Sequence, residues 1–191
     1  LDEIYFDDTE TEEATETFLS SNINTNIADP DFFTLVRRIN NGTINLQPDF
    51  QRGYVWDNHK ASKLIESILL GIPLPTIYLA EEANGKEVVI DGQQRLTAVK
   101  LFMENEFKLI GIQSFPELNK KLFKELPDDK MKTIENGSIR TITFRKDSDE
   151  DLKFAIFERL NTGSVPLNDM ELRNCIYRGN YIELLKKMAE N

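Results

Sequence analysis

The sequence is poor in the residues that build many enzyme centres. Its 191 residues include one cysteine, one histidine and one tryptophan. The single cysteine, Cys175, excludes an intrachain disulfide and a cysteine-rich zinc site. The single histidine, His59, excludes a nuclease core built from several histidines of this chain. No apolar run approaches the roughly 20 residues of a membrane span, and no signal-peptide pattern opens the chain, so we expect a soluble, cytoplasmic protein.

Basic residues are missing from the start of the chain. Residues 1–29 hold nine acids and no Lys or Arg, although the whole chain has 33 acids and 23 bases. Residues 1–28 are therefore predicted to be a partly disordered acidic leader, with a strand-like tether or a DNA mimic as the alternative. Residues 29–191 are nearly neutral, which argues against DNA binding by bulk charge but permits a local basic patch. We interpret the chain as the N-terminal part of a longer protein.

Hydrophobic periodicity predicts a mixed α/β (α+β) domain with a small mixed sheet surrounded by helices. Asp29 followed by Pro30 predicts the start of the first helix. Asn84-Gly85 predicts a hairpin turn between two strands. The further segments predicted as regular structure are helices at His59–Leu70, Leu96–Glu104 and Asp149–Leu160, and strands at Thr76–Ala80, Glu87–Ile90 and Ser138–Arg145.

The first candidate site is the segment Asp91–Arg95, which lies where a predicted strand gives way to a helix. Free N–H groups and the positive end of the helix dipole make such a junction suited to an anion. Gly92 permits close approach of a ligand, and Arg95 can clamp a phosphate with two hydrogen bonds. The structural alternative is that Asp91 only caps the helix and the two glutamines are exposed.

The second candidate site is the segment Gln51–Trp56. If this segment is extended, Arg52, Tyr54 and Trp56 share one side, where aromatic rings could stack on a base and the arginine could contact phosphate. The alternative is a loop whose aromatic side chains anchor it to the core.

The third candidate site lies between two predicted helices. Asn161, Thr162 and Ser164 could supply polar ligands there. The alternative is that Gly163 and Asn168 merely end one helix and begin the next.

Together the three segments resemble the DGQQR-motif domain of GmrS- and GmrSD-type modification-dependent restriction proteins, a group related to ParB and sulfiredoxin. The matching pieces are Phe50–Trp56, Val89–Thr97, and Phe157–Gly163 with Leu167 and Glu171–Arg173. The resemblance implies a ParB/sulfiredoxin-like fold. It also implies nucleoside triphosphate binding and hydrolysis (GTP, ATP or CTP), with Mg²⁺, coupled to the sensing of modified DNA. A nuclease domain or subunit elsewhere would cut the DNA.

The resemblance also implies roles for individual residues. Gln93 or Gln94 would orient the attacking water, and Arg52 and Arg95 would neutralise phosphate charge. Asp91 would contact the metal. The full set implied to bind the nucleotide is Gln51, Arg52, Tyr54, Asp91, Gly92, Gln93, Arg95, Thr97, Asn161 and Thr162.

Two other functions stay open at this point. The domain could itself be a metal-dependent nuclease, with Asp91 joined by Asp49 or Glu171. It could instead be a non-catalytic module that recognises DNA or protein through Tyr54, Trp56 and the arginines.

Overall fold

The computed structural model describes residues 24–46 and 54–148. These residues form a five-stranded sheet, four α-helices and two short 3₁₀ turns. The strands are β1 (Thr25–Ala28), β2 (Ile44–Asn45), β3 (Ile77–Glu81), β4 (Glu87–Asp91) and β5 (Thr141–Phe144). The helices are α1 (Phe32–Asn40), α2 (Asn58–Leu69), α3 (Gln93–Met103) and α4 (Asp128–Asn136). The predicted mixed α/β class is confirmed.

The sheet is mixed in direction, with the strand order β1-β5-β3-β4-β2. Strand β5 runs parallel to β3, and β2 runs parallel to β4. The pairs β1–β5 and β3–β4 are antiparallel. The turn between β3 and β4 contains Asn84 and Gly85, and Gly85 has a positive φ of 78°. The predicted hairpin is therefore confirmed, whereas the likeness to ParB and sulfiredoxin stays a prediction.

Helix α1 begins two residues later than predicted. Its N-cap is Asp31, whose carboxylate accepts a hydrogen bond of 2.6 Å from the Thr34 N–H. The prediction that Asp29 caps this helix is wrong, because the Pro30 carbonyl accepts a hydrogen bond from Ile139 N–H and holds this stretch outside the helix. Asp29 instead pairs with Arg140, with 3.0 Å between Oδ1 and Nε.

The hydrophobic core lies between the sheet and the helices. Ile77, Leu79 and Val89, at alternating strand positions, are at most 1% exposed and belong to the same buried cluster as the apolar sides of the helices. Phe102 of α3 is fully buried and meets the Phe123 ring edge-on at 5.7 Å between centroids. This packing holds α3 in the core that it shares with the sheet, and so helps to place the turn that leads from β4 into α3.

The first described residues belong to the sheet, and the described helices were also compared with the length and hydropathy of a membrane span. Residues 25–28, the last part of the predicted leader, form β1 and pair with β5. Between residues 24 and 148, with the gap at 47–53, no helix is long and apolar enough to cross a membrane. The predicted helix at Asp149–Leu160 lies outside the described residues, and the leader boundary stays a prediction.

Candidate functional site

The turn between β4 and α3 is the best-defined feature of the first predicted site. Helix α3 starts at Gln93, three residues earlier than predicted, and its N-cap is Gly92 with a left-handed φ of 97°. Asp91 is the last residue of β4, so the alternative that it caps α3 is wrong. A Cβ atom at Gly92 would lie 2.1 Å from Ile77 Cδ1, which leaves room only for glycine. Gly92 has no side chain with which to cap the helix, and the positive end of the helix dipole at this turn suits an anionic acceptor.

Arg95 ties this turn to the start of β3. Its Nη2 lies 2.6 Å from Asp91 Oδ2. The same guanidinium donates to the carbonyl of Pro75 and, at 3.3 Å, to the carbonyl of Thr76. The Arg95 side chain is 13% exposed and that of Asp91 is 42% exposed. Burial lowers the pKa of Arg95, and the Asp91 carboxylate opposes that shift. Arg95 therefore stabilises the turn through its own contacts. A phosphate that binds Arg95 would have to share the guanidinium with these partners.

Gln94 joins the first two predicted sites. Its side-chain oxygen accepts a hydrogen bond of 2.9 Å from the Val55 N–H and one of 3.3 Å from the Trp56 N–H. The structure thus brings the end of the segment Gln51–Trp56 to the first turn of α3, as expected for one shared site. Gln93, the neighbouring residue, is half-buried.

The aromatic side chains of the second site turn partly inward. Tyr54 and Trp56 both pack against the hydrophobic core. The Tyr54 hydroxyl is buried and has no hydrogen-bond partner within the part of the chain that the structure describes. Burial raises the pKa of Tyr54, and the nearby Asp57 carboxylate adds to this shift. Lys60 Nζ lies 4.8 Å from the centre of the Trp56 ring. These contacts favour the interpretation in which the aromatics anchor the loop.

Thr97 lies apart from Arg95, on another side of α3. It lines a cleft of about 600 Å³ between α3, β2 and the β3–β4 hairpin. The residues around this cleft are Ile39, Gly42, Ile44, Asn45, Leu46, Glu82, Asn84, Lys86, Thr97, Lys100 and Leu101. Of the predicted site residues that the structure describes, Thr97 is the one that lines it, and Asp91–Arg95 lie elsewhere. Sequence reasoning missed Lys100, although its spacing of three residues from Thr97 places the two on one helix face.

Several predicted residues lie outside the described part of the chain: Gln51, Arg52, Asn161 and Thr162, and also Asp49 and Glu171 of the nuclease alternative. Within residues 24–46 and 54–148, no group of three or more His, Cys, Asp or Glu side chains could hold a metal ion. The role of Asp91 as a metal contact stays a prediction, and its carboxylate pairs with Arg95 in the structure.

Comparison with known families decides the classification. The family model described as "GmrSD restriction endonuclease, N-terminal domain" matches residues 32–178. The chain belongs to the GmrSD N-terminal domain family. This membership places the domain in the context of DNA restriction and phage defence, and the matched range contains the turn from Asp91 to Arg95. No curated protein and no solved structure matched the chain in the corresponding comparisons.

Proposed function

We propose that this GmrSD-type domain binds and hydrolyses a nucleoside triphosphate with Mg²⁺ and so regulates a modification-dependent DNA restriction protein. The β4–α3 turn would hold the phosphates. DNA and a nuclease domain or subunit would be the partners of the full protein. Family membership supports the restriction context, and the shape of the turn supports the phosphate site.

The observation that carries the proposal is that α3 starts directly after a left-handed glycine, a residue with no side chain of its own to cap the helix. Backbone N–H groups at such a turn point toward one place, and the helix dipole adds positive potential there. The side of Gly92 that would carry a Cβ is filled by Ile77, so the turn is held in one conformation. A preorganised turn binds an anion without the entropic cost of ordering it.

The side chains around the turn suit phosphate chemistry in distinct ways. Arg95 adds a permanent positive charge beneath the turn and holds Asp91 beside it. Asp91 is 42% exposed, so its carboxylate is open to a hydrated Mg²⁺ that the phosphates would also ligate. Gln94 is engaged with the loop backbone, which leaves Gln93 as the better candidate to orient an attacking water.

Isothermal titration of GTP, ATP and CTP, each with Mg²⁺, tests the proposal in the chain and in a Gln93→Glu variant. A carboxylate at the first residue of α3 is compatible with the helix dipole, so the fold is expected to persist. Like charges about 4 Å apart repel by about 1 kcal/mol in water and about 4 kcal/mol near a protein surface. We therefore expect the variant to bind at least about fivefold more weakly.

Gln113→Glu serves as the matched control, because it makes the same change at an exposed residue outside the turn. We expect this control to bind the nucleotide like the unmodified chain. A phosphate-release assay on the chain then tests hydrolysis. Equal affinity in Gln93→Glu and Gln113→Glu would show that the phosphates do not lie at α3, and absence of binding to the unmodified chain would refute nucleotide binding by this domain.

A further inference from the structure

The side chain of Gln94 joins the two segments that meet at the candidate site. The Gln94 oxygen accepts both the Val55 N–H and the Trp56 N–H, at 2.9 and 3.3 Å. Helix α2 starts immediately afterwards, with Asp57 as its cap. One amide oxygen of α3 therefore fixes the stretch of chain that leads into α2.

The surroundings of residues 54–57 make the position of this loop depend on its hydrogen bonds to Gln94. Val55 is 67% exposed, so its side chain contributes little to anchoring. Its backbone N–H would face water without the Gln94 oxygen. Trp56 packs partly against the core and lies under Lys60. The position of the loop backbone thus depends on an acceptor carried by the first turn of α3, the same turn at which we place the phosphates.

We propose that Gln94 is a positioning residue that transmits occupancy of the start of α3 to the loop at residues 54–57. The nucleotide-dependent part of this role rests on the proposed function. For Gln94, the role replaces the expectation that either glutamine could orient the attacking water. Phosphate binding at the first turn of α3 would shift Gln94, and Gln94 would move the Val55 and Trp56 backbone with it. Trp56 is the only tryptophan of the chain, so its fluorescence reports on the loop.

The link itself is tested without nucleotide, by amide hydrogen exchange of Val55 and Trp56 measured by NMR on the full chain. Gln94→Met keeps the size of the side chain and removes the acceptor. We expect the two amides to exchange about 2- to 12-fold faster, because a hydrogen bond of this kind contributes about 0.5–1.5 kcal/mol. Gln94→Glu keeps an acceptor and should restore slow exchange. Gln93→Met is the matched control and should leave both amides unchanged.

Unchanged exchange in Gln94→Met would overturn the proposal. So would acceleration that Gln93→Met shares, because the effect would then come from α3 as a whole and not from one acceptor.

The transmission is tested by Trp56 fluorescence during titration with the nucleotide that binds the unmodified chain. We expect a spectral change on binding that Gln94→Met loses and that Gln113→Met, a change at an exposed residue outside the turn, keeps. A full spectral change in Gln94→Met would overturn transmission. If the unmodified chain binds no nucleotide, the proposed function and transmission both fail, whereas the exchange result still decides whether Gln94 holds the loop.

Discussion

Gly92→Ala tests whether the turn before α3 is held as tightly as the structure indicates. A left-handed conformation costs a residue with a side chain about 1–2 kcal/mol. The added Cβ would also lie 2.1 Å from Ile77 Cδ1, and overpacking of this kind typically costs about 1–3 kcal/mol. The free energy of unfolding should therefore fall by about 2–5 kcal/mol. Equilibrium urea unfolding followed by Trp56 fluorescence measures this loss.

Two further variants separate the conformational cost from the clash. Gly85→Ala is the matched control, because Gly85 has a φ of 78° and open space where its Cβ would be. It should lose only about 1–2 kcal/mol. Ile77→Val removes the clashing Cδ1 atom at a cost of about 0.5–1.5 kcal/mol. Combined with Gly92→Ala it should recover about 1–2 kcal/mol relative to the sum of the single effects. Equal losses in Gly92→Ala and Gly85→Ala, or strictly additive effects, would refute the reasoning.

Two predictions concern the helix caps. Replacing Asp57 by Ala removes the acceptor that lies 2.8 Å from the Lys60 N–H and should cost about 0.5–2 kcal/mol in urea unfolding, whereas Asp57→Asn should cost little. The pKa of Asp31 lies below its ordinary value of 3.8 because its carboxylate accepts the Thr34 N–H. Its contribution to stability is therefore present above pH 3.8 and lost as the pH falls below that value. Asp31→Asn should leave stability at neutral pH nearly unchanged and flatten this acid dependence, and an equally steep loss in the variant would contradict the assignment.

Local patterns predicted the elements well where the decisive interaction is short in range. The Asn84-Gly85 hairpin follows from turn chemistry alone. Helix α2 was expected from His59 to Leu70 and runs from Asn58 to Leu69. The start of α1 was misplaced because the choice between two aspartates depends on the pairing of Pro30 with Ile139, which lies more than 100 residues away in the chain.

At the candidate site, too, the local turn was predicted from the sequence, whereas the contacts between distant segments were not. The order of residues from Asp91 to Arg95 was enough to predict a strand-to-helix turn with a glycine at its centre, since only glycine adopts this backbone conformation without cost. The separation of Thr97 from Arg95 was not predicted. Although α3 carries both, the tertiary packing places Thr97 at a cleft and turns Arg95 toward Pro75 and Thr76.

The sequence by itself determined the α/β class, the family motifs and the exclusion of an intrachain disulfide, because these follow from composition, periodicity and short spacings. Only the tertiary structure decided what each side chain of the motifs contacts. In the folded chain Asp91 pairs with Arg95, and the Gln94 oxygen accepts hydrogen bonds from the loop backbone. Ile77 fills the space beside Gly92. Hydrogen bonds and close contacts between distant segments depend on how helices pack on the sheet, and that packing is a property of the whole fold.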